Sequence, residues 1–269
     1  MKDLIILKLG GSAITYKKRN IPKVRNNVIR RSVEEIKKAK EEKEFSLIVV
    51  HGAGPYGHKF VTDYGIDNGL KTSEHFEGFV KTHNSMEELN RIVVNEFVKA
   101  GLLAFPVQAS ACIVQENKKI VSFNTSIIKN LLEIDFGVIP IMYGDMVIDK
   151  ELKASVISGD AIIAYLAKEF AAERVLFGTN VPGIHDKDPR TNKDAELISK
   201  IDGQNVDDVL LKVSGSKDVD VTGGMKGKLV EVLKTLKGVR VFIFDITEKD
   251  NLYNALMEKD VAGTEIKMV

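Results

Sequence analysis

The sequence predicts an α/β protein built on a mainly parallel sheet. Short β-branched runs alternate with longer helical patterns, and the first two such runs each end in glycines. That alternation argues for parallel strands joined by helical crossovers. At 269 residues the chain is long enough for one large α/β domain or two small ones. We read a single domain, 1–269, with two lobes, 1–157 and 158–269, that meet near Ile157 to Asp160.

The elements follow in order. The run over 4–9 reads as a buried strand, 24–43 as a charged amphipathic helix and 45–50 as the next strand. A long helix is predicted over 72–100, where Phe76, Phe79, Met86, Leu89, Val93 and Phe97 recur at helical spacing. Two hairpins follow, one turning at Asn117-Lys118 and one near Asp149-Lys150. Further strands are predicted over 137–143, 174–178 and 239–245. Helices are predicted over 159–169, 225–237 and 249–258, and the stretches 180–194 and 214–224 read as loops. There is no internal repeat and no low-complexity tract.

Composition excludes several classes. The formal net charge is +1, which does not suggest a nucleic-acid or membrane-surface partner. The single cysteine, Cys112, excludes a disulfide framework or a cysteine zinc site within one chain, and it reads as a small core residue. Lys8 interrupts the apolar run at the N-terminus, and no run approaches the roughly 18 residues that span a bilayer. A cytoplasmic protein is expected.

The candidate chemistry sits at strand ends. Lys8-Leu9-Gly10-Gly11-Ser12 ends the first strand in two glycines. Without Cβ atoms, the backbone turns sharply and brings its amides close to an anion, at which Lys8, Lys17 and Lys18 could be aimed. His51-Gly52-Ala53-Gly54-Pro55-Tyr56-Gly57-His58 ends the second strand and opens towards a helix N-terminus. Of its two histidines, His51 reads as a satisfied local group and His58 as a donor to whatever the loop holds. Ile157-Ser158-Gly159-Asp160 lies at a strand-to-helix junction, where Asp160 also suits a helix N-cap.

KLGGS followed by HGAGPYGH resembles the amino acid kinase superfamily, and the closing Gly57-His58 narrows the likeness to isopentenyl phosphate kinases and the related fosfomycin kinases. The resemblance continues through Tyr143-Gly144-Asp145 and through Thr179-Asn180-Val181-Pro182-Gly183 with its following Asp188-Pro189. It extends to Thr222-Gly223-Gly224-Met225 with Lys228, and to Gly263-Thr264-Glu265-Ile266. It implies a three-layer αβα sandwich with a mainly parallel central sheet, an acceptor-binding N-terminal lobe and an ATP-binding C-terminal lobe. The implied reaction is ATP-dependent phosphorylation of isopentenyl phosphate, with dimethylallyl phosphate also accepted, Mg2+ accompanying ATP, and a homodimer as the assembly.

The resemblance also implies roles. Lys8 stabilises the transferring phosphoryl group and Lys17 bridges donor and acceptor phosphates. His58 binds the acceptor phosphate with the amides of Gly52, Ala53, Gly54 and Gly57, close to Gly159, and Asp160 holds the lysines by ion pairing. Lys228, or Lys226 as a substitute, binds the ATP phosphates with Gly10, Gly11, Ser12, Thr179 and Gly183. Phe79, Thr82 and Met86 share one helix face and, with Met146 and Val156, line the acceptor's hydrocarbon tail; the same stripe also reads as ordinary core. The residue types suit the reaction, because a phosphate acceptor is already anionic, with a second pKa of about 6, and needs no general base.

Three departures from the family pattern stand out. HGGG is HGAG here, TDVDG is Thr179-Asn180-Val181-Pro182-Gly183, and Ala161 replaces a second Asp after Asp160. The second change bears on nucleotide contacts and the third on any protein-held metal. Two other readings stay open on sequence alone: a kinase for a different small acid such as fosfomycin, and a non-catalytic nucleotide or anion sensor.

Overall fold

The computed structural model describes residues 3–16, 22–134, 136–187, 189, 191–214, 230, 232, 233 and 235–268. Lys17, Lys18 and the whole of 222–228, with Lys226 and Lys228, therefore lie outside the described residues, as does most of the helix expected over 225–237.

The chain opens with β1 (Leu4–Leu9), a helical turn α1 (Gly11–Ile14), α2 (Asn26–Glu42), β2 (Ser46–His51) and α3 (Pro55–Asp63). After a 3-10 turn at Ile66–Asn68 come α4 (Ser73–Lys99), β3 (Ala104–Pro106) and α5 (Ala109–Cys112). The two hairpins follow, β4 (Ile113–Glu116) with β5 (Lys119–Phe123), and β7 (Asp145–Asp149) with β8 (Lys153–Ile157). Between them lie α6 (Ser126–Glu133) and β6 (Ile139–Tyr143). The remainder is α7 (Gly159–Glu169), β9 (Arg174–Thr179), β10 (Lys200–Asp202), α8 (Val206–Ser214), β11 (Arg240–Asp245), α9 (Asn251–Leu256) and β12 (Gly263–Lys267).

Eight strands form one sheet in the order β10-β12-β11-β9-β1-β2-β6-β3, parallel throughout except between β11 and β12. Every residue of β1 is buried, because both faces of the sheet are covered. Leu4 and Ile6 join one apolar cluster with Ile162, Ile163 and Leu166 of α7. Ile5, Leu7 and Leu9 join another with Ile29 and Ile36 of α2, Leu89 and Val93 of α4, and Leu252 of α9. The result is a helix–sheet–helix sandwich. The long helix α4 starts at Thr72, whose hydroxyl accepts from the His75 amide, so the cap supplies what the first turn lacks.

The predicted hairpins are both present, and Asn117 and Lys118 have the positive φ that a tight hairpin turn needs. They do not stand apart. A parallel pairing of β4 with β7 joins them into a four-stranded sheet, β5-β4-β7-β8. A third apolar cluster, of Val61, Ile66, Leu70, Met146 and Ala154 with Tyr64 and Phe79 beside it, lies between this sheet and the helices. Among the described residues no helix is long and apolar enough to cross a membrane.

Candidate active site

Strand β1 has β2 on one side and β9 on the other, so the chain leaves its C-terminal end where the strand order reverses. In open parallel sheets that is where a crevice forms. The backbone packing there is tight. The Gly10 amide donates to the Gly178 carbonyl and the Gly52 amide to the Leu9 carbonyl, each at 2.9 Å. A Cβ on Gly10 would lie 2.5 Å from the Gly178 oxygen, and one on Gly52 would lie 2.7 Å from the Gly11 nitrogen. The first glycine pair is thus wedged between the second loop and the end of β9, and side chains there would force the three strand ends apart. Gly54 has φ +51°, which favours glycine, and it turns the chain into α3.

Three expected motifs therefore meet at one end of the sheet. Ser12 Oγ donates to Asn180 Oδ1 at 3.0 Å, so the asparagine of the altered loop ties that loop to the first. The Thr179 hydroxyl reaches Val181 O at 2.8 Å in its own turn and Phe244 O at 3.2 Å on β11, and so ties the turn to the neighbouring strand. Gly183 packs on the closing strand, where Thr264 Oγ1 accepts from Ile184 N at 2.8 Å and reaches Ile198 O at 2.7 Å.

Helix α7 brings Asp160 to the same end. Its cap is Ser158, whose hydroxyl accepts from Ala161 N at 3.0 Å. Asp160 is thereby spared the capping role, and its Oδ1 pairs with Lys8 Nζ. The two side chains are 9% and 19% exposed, so the pair is largely shielded from water, and the Lys8 ammonium also lies 5.7 Å from the Phe177 ring centre.

The two histidines of the second loop differ. His51 is fully buried, stacks on Tyr143 at 5.4 Å, and sets its ring nitrogens 3.2 Å from Gly52 O and 3.2 Å from Asn90 Oδ1. Burial pushes its pKa down to about 4 against those hydrogen bonds, so it is neutral near pH 7. His58 is exposed on the first turns of α3. That helix has Gly54 at its cap with no side-chain hydrogen bond, and Pro55 follows. The amides of the next residues thus lack a capping side chain, the arrangement that suits an anion.

The apolar stripe of α4 runs past this loop. Met86 is buried, and its Sδ would lie 3.3 Å from a Cβ on Gly57. Thr82 is buried, with its hydroxyl donating to Gly78 O at 2.7 Å, and Phe79 sits half-buried beside Met146 in the third cluster. Val156 is paired opposite Met146 and is 37% exposed.

Sequence reasoning missed a polar group here. His83, on the turn between Thr82 and Met86, places Nδ1 2.8 Å from Asp145 Oδ2, and Gln108 Nε2 lies 3.1 Å from its Nε2. The hydrogen bond to Asp145 pushes the His83 pKa up, while burial pushes that of Asp145 up against the same bond. Asp145 was visible within Tyr143-Gly144-Asp145, but nothing local marks His83 as its partner.

Among the described residues no cluster of three or more His, Cys, Asp or Glu could hold a metal ion. What the strand ends offer is backbone amides, a shielded ion pair and an exposed imidazole, the equipment of an anion-handling transferase. The chain belongs to the amino acid kinase family, whose model matches residues 3–245.

Its similarity to individual members is narrower. It is 37% identical over 270 residues to an isopentenyl phosphate kinase of Methanothermobacter thermautotrophicus, covering 98% of each chain. It is 36% identical to that of Methanocaldococcus jannaschii, again over 98% of each. Among solved structures it resembles isopentenyl phosphate kinase with a TM-score of 0.83 at 34% identity, over 98% of this chain and 100% of that one. It also resembles a substrate complex of an isopentenyl phosphate kinase, at 0.77 and 25% identity, over 99% and 100%.

Proposed function

We propose that this chain transfers the terminal phosphoryl group of ATP to isopentenyl phosphate, giving isopentenyl diphosphate for isoprenoid synthesis in the cytoplasm. The observation that carries the reading is the Gly54–His58 loop lying directly over Met86. A phosphate-binding end thus adjoins an apolar helix stripe, and relatives similar along nearly the whole chain are isopentenyl phosphate kinases.

The acceptor phosphate is held by His58 and the amides of Ala53, Gly54 and Gly57, with Gly159 alongside; the expected Gly52 amide is already taken by the Leu9 carbonyl, so Gly52 shapes the loop instead of donating to the phosphate. The ATP phosphates lie against Gly10, Gly11 and Ser12, with Thr179 and Gly183 shaping the loop beyond. Lys8, fixed by Asp160, meets the phosphoryl group in transit, where charge spreads over its equatorial oxygens. Lys17 and Lys228 complete the set, with Lys226 as the substitute for Lys228. Because the acceptor oxygen is already anionic, the site needs no base to activate it; it must offset the repulsion of two polyanions. Mg2+ enters with ATP, held by phosphate oxygens and water rather than by a protein cluster. The tail lies along Met86, Thr82 and Phe79, closed by Met146 and Val156. From Phe79 to Met86 the helix rises about 10 Å, a length that spans an extended five-carbon chain. Dimethylallyl phosphate fits the same site, and the active form is a homodimer.

Purified protein with Mg-ATP should convert isopentenyl and dimethylallyl phosphate to their diphosphates, followed by phosphorus NMR. Turnover of fosfomycin or acetylglutamate in their place would overturn the assignment. Light scattering coupled to size exclusion tests the dimer.

A further inference from the structure

The Asp145 side chain is 0% exposed, and a carboxylate so placed must have its oxygens satisfied. Oδ1 accepts from the Met146 amide at 2.8 Å, and the Ser110 hydroxyl also reaches the group. Oδ2 faces His83 Nδ1 at 2.8 Å. A carboxylate only accepts, so Nδ1 must carry a hydrogen. Gln108 Nε2, itself a donor, lies 3.1 Å from Nε2 and 2.7 Å from Ser110 Oγ. The ring is therefore held by both nitrogens, with Glu87 Oε1 3.7 Å away on the same helix. The network ties α4 to β7 and to the start of α5.

Its location gives the tie a consequence. On α4, His83 follows Thr82 and lies between Phe79 and Met86. On β7, Asp145 lies between Gly144, which packs against the Gly159 amide, and Met146 in the third cluster. We propose that His83 is a positioning residue for the acceptor: its bond to Asp145 locks α4 against β7 and so sets the gap between Phe79 and Met86 on one wall and Met146 on the other. This inference rests on the reading of that stripe as the tail site. Without the imidazole, Asp145 is a buried carboxylate missing a donor, and α4 moves or admits water to satisfy it. The hydrocarbon tail feels that movement, whereas the ATP phosphates on β1 and β9 do not.

Two substitutions of similar bulk separate the claim from general damage. In His83→Asn the amide nitrogen can stand near the position of Nδ1 and keep the bond to Asp145. In His83→Gln the amide reaches the Gln108 side of the ring and loses Asp145. We expect His83→Gln to raise the KM for isopentenyl phosphate about tenfold or more, with kcat and the KM for ATP within about threefold of wild type. His83→Asn should stay within about threefold in all three constants. In His83→Gln the preference for isopentenyl over geranyl phosphate should also shrink. Equal constants for the two variants, or parallel losses in the acceptor and ATP terms, would overturn the positioning role while leaving the kinase reading intact. A wild-type protein that leaves isopentenyl phosphate unchanged overturns that reading, and this inference with it.

Discussion

His51 and His58 leave the same loop for opposite environments, the first fully buried and the second exposed. His51 is buried between Tyr143 and Asn90, partners 92 and 39 residues away in sequence, so its structural role was readable only as a tendency of histidines beside strands. His58 sits on the open side of α3. Replacing His58 with Ala removes a hydrogen bond to a charged phosphate worth about 1.5–3 kcal/mol, an expected fall in acceptor kcat/KM of about 10- to 100-fold. His58→Gln should retain more activity because it still donates, and the KM for ATP should not move in either; a matching loss of ATP affinity would make the residue structural. Lys8 tests a different part of the reaction. It is fixed by Asp160, so Lys8→Met should cut kcat by about 100-fold or more with little change in acceptor KM. Near-normal turnover in a variant with an unaltered circular dichroism spectrum would remove Lys8 from the mechanism. The sequence placed Asp160 at the right junction but left it divided between cap and ion pair. Ser158, two residues earlier, takes the cap and resolves that choice.

At the scale of elements, legibility followed length and self-sufficiency. The strand β1 and the helices α4 and α7 match expectation within a residue, because each carries a full run or several turns of its own periodicity. The three-residue strands β3 and β10 carry too little pattern to be seen, and β3 ends in a proline at the sheet edge. The parallel pairing of β4 with β7 was hidden for another reason: a hairpin announces its own turn but not the hairpin it will join. Asp149 makes that junction. Its carboxylate accepts from the amides of Asn117 and Lys118 in one turn, from Glu151 and Leu152 in the other, and from Ser155 Oγ. Burial acts against the charge, but these donors outweigh it and hold the pKa far below the usual carboxylate range. The sign of the linkage is that of a depressed acid: the stabilisation is complete above about pH 4 and fades as pH falls further. Asp149→Asn should lower the unfolding free energy by about 2–4 kcal/mol in urea at pH 7, and the deficit should narrow towards pH 3. A constant deficit across that range would mean that the charge is not what holds the turns. On α4, Phe79→Ala should enlarge the far end of the tail site and raise the kcat/KM ratio of geranyl to isopentenyl phosphate, leaving the KM for ATP unchanged. Phe79 is only half-buried, so this truncation opens space with less loss of core than Met86→Ala would cause. An unchanged ratio in the folded variant would return the stripe to the core.

For the whole molecule, the question is whether the two lobes expected from the sequence are separable. The first, 1–157, supplies β3, β6, β2 and β1; the second, 158–269, supplies β9, β11, β12 and β10. They meet where β1 pairs with β9, in the middle of one continuous sheet, and both main apolar clusters cross that line. Ile6 shares one cluster with Val175 and Ile243, and Leu7 shares the other with Leu176 and Phe244. Cutting there would expose apolar surface on both faces of the sheet, at roughly 25 cal/mol for each square ångström uncovered. The ion pair of Lys8 on β1 with Asp160 on α7 spans the same boundary. We therefore expect one cooperative unit with its ligand sites on the seam. Calorimetry should show a single transition whose calorimetric and van't Hoff enthalpies agree. Each ligand then stabilises the whole. At 100 times its dissociation constant either ATP or isopentenyl phosphate contributes about 2.7 kcal/mol, an upward shift in Tm of about 5–10 °C for a chain near this size. Because both act on one transition, either ligand alone should move the entire endotherm. Two transitions, one following the acceptor and the other following ATP, would instead show that the halves fold independently and that the β1–β9 seam is only a contact between them.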